Sequence, residues 1–359
     1  MKKIIIAPLA AFVCSTAFAA DEPKASVFGR VDLNTAYVTK NGANNNSVWG
    51  MGTNGNTSSR LGFKASQDLD SITVGIHLEG AIGADNGAGI QNFQRRSTAS
   101  ISNKAWGEVR FGRDLTPSYS EVSKYDVFGS NGIGKFHGWS RWEGGAGDQN
   151  GVRADNLYAY YSPSYSGFKY GIGYAADEDN AGSPNKLNRY GGLFADYGND
   201  AFSATLAYGS RREINNLALT DRNELTFGAG FDAKVVKINA LVQQTQYKEA
   251  KKSGFGDTYK VTSFALGGIL PIDKDQVKVQ FAAYQDNDTP KAKSTQFAVG
   301  YVNNRSDNFA LYGTLAFLKG NEDGPLVTGG LAADNIKVGD PAKADDAQIG
   351  LQLGTVFKF

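Results

Sequence analysis

Polar and apolar side chains alternate with a period of two along most of this chain. In SVFGRVDLNTAYV (26–38), Val27, Val31, Leu33 and Tyr37 share one parity, and Arg30, Asp32 and Asn34 the other. SRLGFKAS (59–66) sets Leu61, Phe63 and Ala65 against Arg60, Lys64 and Ser66; SITVGIHLEG (71–80) sets Ile72, Val74, Ile76 and Leu78 against Thr73, His77 and Glu79. The pattern returns in 167–175, 201–211, 224–233, 276–284 and 308–317, and in the closing GLQLGTVFKF. Successive residues of a strand point to opposite faces, so such segments are strands with one apolar and one polar face. About 16 segments can be traced, an even number that suits a closed bacterial barrel.

The connections alternate in size. Short ones carry turn chemistry, as in Gln67-Asp68-Leu69-Asp70 and Arg305-Ser306-Asp307. Long ones are rich in Gly, Asn, Asp and Ser: 39–58, 177–188 and 319–345. Tight turns at one end and long loops at the other fit a transmembrane barrel. A soluble β-sandwich also alternates, but this chain lacks heavy apolar runs, as expected when the inside is wet. Aromatic residues gather near segment ends: Tyr37, Trp106, Tyr161, Tyr174, Tyr197, Tyr208, Tyr247, Tyr301, Phe357 and Phe359. Interfacial belts use such rings. A sheet in lipid must also close on itself, because an unpaired peptide group there costs several kcal/mol. The last strand should therefore pair with the first.

Composition sharpens this picture. The chain has 359 residues with 44 Gly, 17 Tyr and 21 Phe, but only 9 Pro and 2 Met, which favours many short strands over helices. Residues 1–20 read as a cleaved export signal: Lys2 and Lys3, an apolar run from Ile4 to Val13, then Ala17-Phe18-Ala19. Cleavage is expected after Ala19 or Ala20, leaving 21–359 as a single barrel domain. Cys14 lies inside the signal, so the remainder holds no cysteine. The formal net charge is +1, and losing Lys2 and Lys3 turns it to −1. Near neutrality argues against a nucleic-acid partner.

Enzymatic and metal chemistry find no foothold. GSNGIGK (129–135) matches G-x-x-x-x-G-K, but Phe136 stands where a phosphate-binding loop needs Ser or Thr. His77 and His137 are the only histidines, and neither has ligand-spaced companions. No cofactor, metal or catalytic residue is expected.

Several stretches resemble the Gram-negative trimeric general diffusion porins, notably their beta-proteobacterial branch. SVFGRVDLN and SSRLGFKASQDL resemble the first two strands. EVRFGRDLTPSYSEVSKYDVFG resembles the fifth strand entering the third long loop. RADNLYAYYSPSYSGFKYGIGYA resembles the next two strands, and NRYGGLFADYG and the terminal FKF match later positions. A final phenylalanine after alternating apolar residues also resembles the assembly signal of outer-membrane barrels. The resemblance implies an all-β, 16-stranded antiparallel transmembrane barrel in the outer membrane. It implies a homotrimer in contact with lipid and lipopolysaccharide, and passive diffusion of ions and small hydrophilic solutes. It further implies that the third loop, about 115–150, folds inward and narrows the pore. By position, Arg30, Arg60 and Arg113 fall where the family places wall cations, with Arg96, Arg110 and Arg153 as further candidates. Glu121 and Asp126 would be the acidic groups on the loop. That loop carries Lys124, Lys135, His137 and Arg141 beside Glu121, Asp126, Glu143 and Asp148, so it is not strongly acidic and its sign leaves the ion preference open. A solute-selective channel of the same fold stays an alternative, with Trp139 and Trp142 as aromatic contacts. So does an adhesin or phage-receptor barrel.

Overall fold

The computed structural model describes residues 22–41, 46–89, 92–139, 152–176, 189–215, 218–248, 258–287, 292–321, 330–331, 334, 336 and 346–359. The expected export signal, the second half of the expected inward loop (with Arg141, Trp142, Glu143 and Asp148) and the stretch 177–188 lie outside these residues.

The described chain is almost all strand: β1 (Lys24–Asn41), β2 (Asn46–Thr53), β3 (Arg60–Leu69), β4 (Ile72–Ala81), β5 (Arg96–Asn103), β6 (Gly107–Leu115), β7 (Arg153–Tyr161), β8 (Phe168–Ala175) and β9 (Tyr190–Gly198). There follow β10 (Phe202–Asn215), β11 (Ala218–Asp232), β12 (Lys237–Lys248), β13 (Thr258–Ile272), β14 (Asp275–Asp286), β15 (Lys293–Asn304), β16 (Phe309–Gly320) and β17 (Ala347–Lys358). Neighbours pair antiparallel, and β17 returns to β1 with Arg30 opposite Lys358 and Val38 opposite Gly350. No edge is left open. β2 and β3 pair with the upper and lower halves of the same strand, β1, so the 17 segments make a closed barrel of 16 spanning strands.

β2 lies inside the stretch expected to be a long loop, and that expectation is corrected. Its inward positions include Val48, which packs on the core, and Gly50 and Gly52, over which Ile336 packs, while Trp49 and Met51 point outward. With glycine on one face the alternation carries little apolar contrast.

The faces are those of a membrane barrel. On β17, Leu351, Leu353 and Phe357 are 46, 52 and 52% exposed, whereas Gln348 and Gln352 are fully covered. Hydrocarbon thus meets the outward parity, and the polar parity turns inward. Most of the end-of-strand aromatics sit on the outer face, from Trp106 at 37% to Phe359 at 56% exposed. Tyr161 and Tyr247 are the exceptions, since both take the inward parity. Gly29, on β1, receives the chain's own last ring: a Cβ there would lie 2.3 Å from Phe359. Gly29 and Phe359 also exchange backbone hydrogen bonds of 2.8 and 3.0 Å.

The division of faces sets a test. Leu206, outward on β10 and half exposed, is a lipid contact. Leu206→Arg should destabilise the folded barrel by about 2–4 kcal/mol in denaturant titrations from lipid vesicles, while Leu206→Phe stays within about 1 kcal/mol.

Candidate functional site: a basic wall facing a docked loop

After β6 the chain turns inward through α1 (Pro117–Ser120) and a 3-10 turn, Val122–Tyr125. It then lies against the inner faces of β9–β17. The wall there is lined by small side chains, Ala207, Ala265, Ala282, Ala298 and Ala316, which leave room for Val127, Phe128, Ile133 and Phe136. Wall glutamines meet the segment's peptide groups. Gln280 Oε1 accepts from Val127 N (3.0 Å) and its Nε2 donates to Gly134 O (3.2 Å). Gln296 Nε2 donates to Ile133 O (2.9 Å), and Ile133 N donates to Gln352 Oε1 (3.2 Å). A buried peptide without partners would cost about 1–3 kcal/mol per group, so these glutamines are what allows an irregular segment to be buried at all.

Asp126 is the hub of this segment. Its carboxylate accepts from Phe128 N (3.1 Å), Ser130 N (2.7 Å), Phe136 N (3.1 Å) and Gln280 Nε2 (3.1 Å). At 3% exposure it faces no solute, so the geometry corrects its expected place among the pore-lining acids. Burial raises its pKa against the pull of these hydrogen bonds. Glu121 stays near water but is engaged by Lys124 and Lys169, each at 3.7 Å. Lys124 also reaches Asp196 on β9 at 2.6 Å. Its ammonium pKa is raised, because those bonds and charges outweigh the burial that opposes them. Trp139 packs edge-on against Tyr119 and Phe136 and is buried, so it offers no aromatic surface to a solute.

The opposite wall, β1 and β3–β7, carries the cations. Arg60 and Arg95 share one carboxylate, Glu79, at 3.2 and 2.6 Å. Further along, Arg96 and Arg110 share Asp114 at 3.3 and 3.2 Å, and Arg110 also holds Glu108 at 2.8 Å while lying 4.3 Å above the Tyr161 ring. Arg30 donates to Thr57 Oγ1 (2.8 Å). Arg153 Nε donates to Arg95 O (2.8 Å), close enough to feel the charges of Arg95 and Arg113. Arg113 shares the outward parity of Phe111, but the register against β7 slips between Gly112 and Asp114, and Arg113 pairs with Asp155. Lys64 lies 4.9 Å over the Phe28 ring.

Six arginines expected at this site are thus on one side of the barrel. Arg95 was not anticipated: it precedes β5, outside the alternation, and its neighbour Arg96 takes the strand parity. The adjacency Arg95-Arg96 was the available signal, since one member of such a pair must leave the strand's inward line. Arginine outnumbers carboxylate here, and among the described residues of the facing segment Lys124 and Lys135 balance Glu121 and Asp126.

The comparisons agree with this architecture. The family model for Gram-negative porins matches residues 7–323. Outer membrane porin protein 32 of Delftia acidovorans is 41% identical over 359 residues, covering 99% of both chains. Among solved structures, the anion-selective porin from Comamonas acidovorans superposes with a TM-score of 0.86 at 39% identity, over 94% of this chain and 100% of that one. A trimer form of Vibrio cholerae OmpT shares the fold, with a TM-score of 0.69 at 14% identity over 94% of this chain and all of its own. With strand faces, closure and relatives in agreement, the chain belongs to the Gram-negative porin family: it spans the outer membrane as a β-barrel and forms a water-filled passage for ions and small hydrophilic solutes.

Proposed function

We propose that this channel prefers anions, and that the basic wall sets the preference. The observation that carries the reading is the Arg60–Glu79–Arg95 cluster: two guanidiniums on one carboxylate leave a net positive charge beside the water path. Arg30, Arg96, Arg110, Arg113 and Arg153 extend that charge along the wall. Among the described residues of the docked segment, the acid near water, Glu121, is already countered by Lys124 and Lys169. The relative named as anion-selective supports the same sign. In this reading the segment 115–139 is the front of a constriction loop and narrows the passage from the β9–β17 side. No covalent chemistry takes part; size and charge do the sorting.

The reading extends to assembly. The outward face of β3–β5 carries Ala65, Ser97 and Ala99, where β8–β11 carry Phe168, Tyr170, Tyr174, Tyr197 and Phe227. A face whose strands carry one outward ring, Phe63, suits close contact with two further copies, with lipid and lipopolysaccharide bordering the aromatic faces. Residues 1–20 serve as the export signal.

Planar-bilayer recording tests this. Conductance should rise in groups of three steps, and the reversal potential in a potassium chloride gradient should take the anion sign. The preference should shrink with salt, because the screening length falls from about 10 Å at 0.1 M to about 3 Å at 1 M. A cation-signed reversal potential at low salt would refute it.

A further inference from the structure

The break between β2 and β3 is a second inward element. β1 pairs with Thr53 at Leu33 and with Arg60 at Arg30, so Asn54–Ser59, six residues, stand opposite only Val31 and Asp32. The surplus leaves the wall on its inner side.

Asp32 holds it there. One carboxylate oxygen accepts from Gly55 N (3.1 Å) and Tyr312 Oη (2.6 Å); the other accepts from Asn56 N (2.8 Å) and Thr57 N (2.7 Å). The Asp32 backbone is gripped too: its N–H donates to Ser59 Oγ (2.8 Å), and its carbonyl accepts from Thr53 Oγ1 (3.0 Å). Asp32 is wholly covered. A buried carboxylate survives only when paired with donors, and three successive backbone N–H groups plus a phenol are such a set.

The projecting turn does two further things. It meets the tip of the docked loop: Gly132 N donates to Asn54 O (3.0 Å) and Ser58 Oγ to Asn131 Oδ1 (2.9 Å). The approach is so close that a Cβ on Gly132, whose φ is +63°, would lie 2.1 Å from Gly55 O. It also orients three cations. Thr57 Oγ1 accepts from Arg30, Ser58 O accepts from Arg60 Nε (3.1 Å), and Asn56 Oδ1 accepts from Lys278 Nζ (3.0 Å) on β14, across the barrel interior.

We infer that Asn54–Ser59 is a second constriction element, clasped to the tip of the docked loop, with Asp32 as its positioning residue and Arg30, Arg60 and Lys278 as the cations it aims. This rests on the porin reading and adds a part to it: the passage is narrowed from both walls, and the two lips hold each other.

The register supplies the test. Replacing Asn54–Ser59 by Gly-Ser restores two residues opposite Val31 and Asp32, giving an uninterrupted strand. The expected variant assembles as a barrel, conducts more per channel than the parent, and has a reversal potential shifted toward zero. An assembled barrel with unchanged conductance and unchanged reversal potential would overturn the inference. The milder pair Ser58→Ala with Asn131→Ala leaves the wall intact and cuts only the clasp. It should show greater open-channel noise and close at lower voltage; parent-like noise and threshold would equally overturn it. Absence of conductance steps in the parent itself would instead count against the porin reading.

Discussion

Replacing Arg60 and Arg95 together by glutamate should reverse the sign of the ion preference. Both guanidiniums lie on Glu79, within 3.2 Å, at 20 and 15% side-chain exposure. Each substitution changes the local charge by about two units, and charges about 4 Å apart at an effective dielectric of about 20 interact by about 4 kcal/mol, several times thermal energy. A salt gradient of about tenfold is worth at most about 60 mV to a perfectly selective pore, so the expected swing is about 20–60 mV, from the anion to the cation side. Two further variants bracket the result. Arg60→Gln with Arg95→Gln removes charge without crowding three carboxylates, and should weaken the preference without reversing it. Glu79→Gln should strengthen it. A reversal potential unmoved by all three would place the selecting charges elsewhere on the wall.

Acid should loosen the docked loop through His137. This side chain is 2% exposed, packs edge-on against Tyr284, and has no hydrogen-bond partner at Nε2. Burial, followed by the charge of Lys135, lowers its pKa from 6.5 to about 3. An undocked loop binds a proton below about pH 6.5, whereas the docked loop refuses it down to about pH 3, so docking weakens as pH falls through that interval. At about pH 4.5 the loss is roughly 2–3 kcal/mol, comparable with a few of the loop's hydrogen bonds. Asp126 acts in the opposite sense, because its raised pKa favours the docked form as pH falls. Comparing the parent with His137→Asn, in which Asp126 is unchanged, isolates the histidine. The parent should gain closures and flicker on acidification, and the variant should gain fewer. Equal responses would remove His137 from the account.

Much of the barrel was legible because lipid enforces a strict code. Leu225, Phe227 and Phe231 cannot turn inward without exposing the polar parity of β11 to hydrocarbon, so a period of two reads directly as a face. Where another protein segment, rather than lipid or water, covers the wall, the code fades. Gly50 and Gly52 hid β2 because their inward face is covered by Ile336. Tyr247 belongs by type to an interfacial belt, yet faces inward and is buried. Asp126 looked like a pore acid because a sequence lists charges, not the backbone N–H groups that fold back onto them. Arg113 required a register slip that no local motif announces. The six arginines were found by likeness and parity; the carboxylates that share them, Glu79 and Asp114, emerge only when four strands stand side by side.

The docked segment leaves the cylinder lopsided. Behind β9–β17 lies a second layer, with Phe128, Ile133 and Phe136 wedged against alanines, so that flank has the thickness and rigidity of a soluble domain. Behind β3–β6 stand the arginines of the basic wall and the carboxylates they share, Glu79, Glu108 and Asp114. Under lateral pressure from the bilayer the thin flank is the one that would buckle, and its outer surface sets Ala65, Ser97 and Ala99 beside Phe63, Ile76 and Ile101. Bracing by neighbouring cylinders would therefore serve mechanics as much as assembly, with each copy lending its neighbours the stiffness they lack on that side.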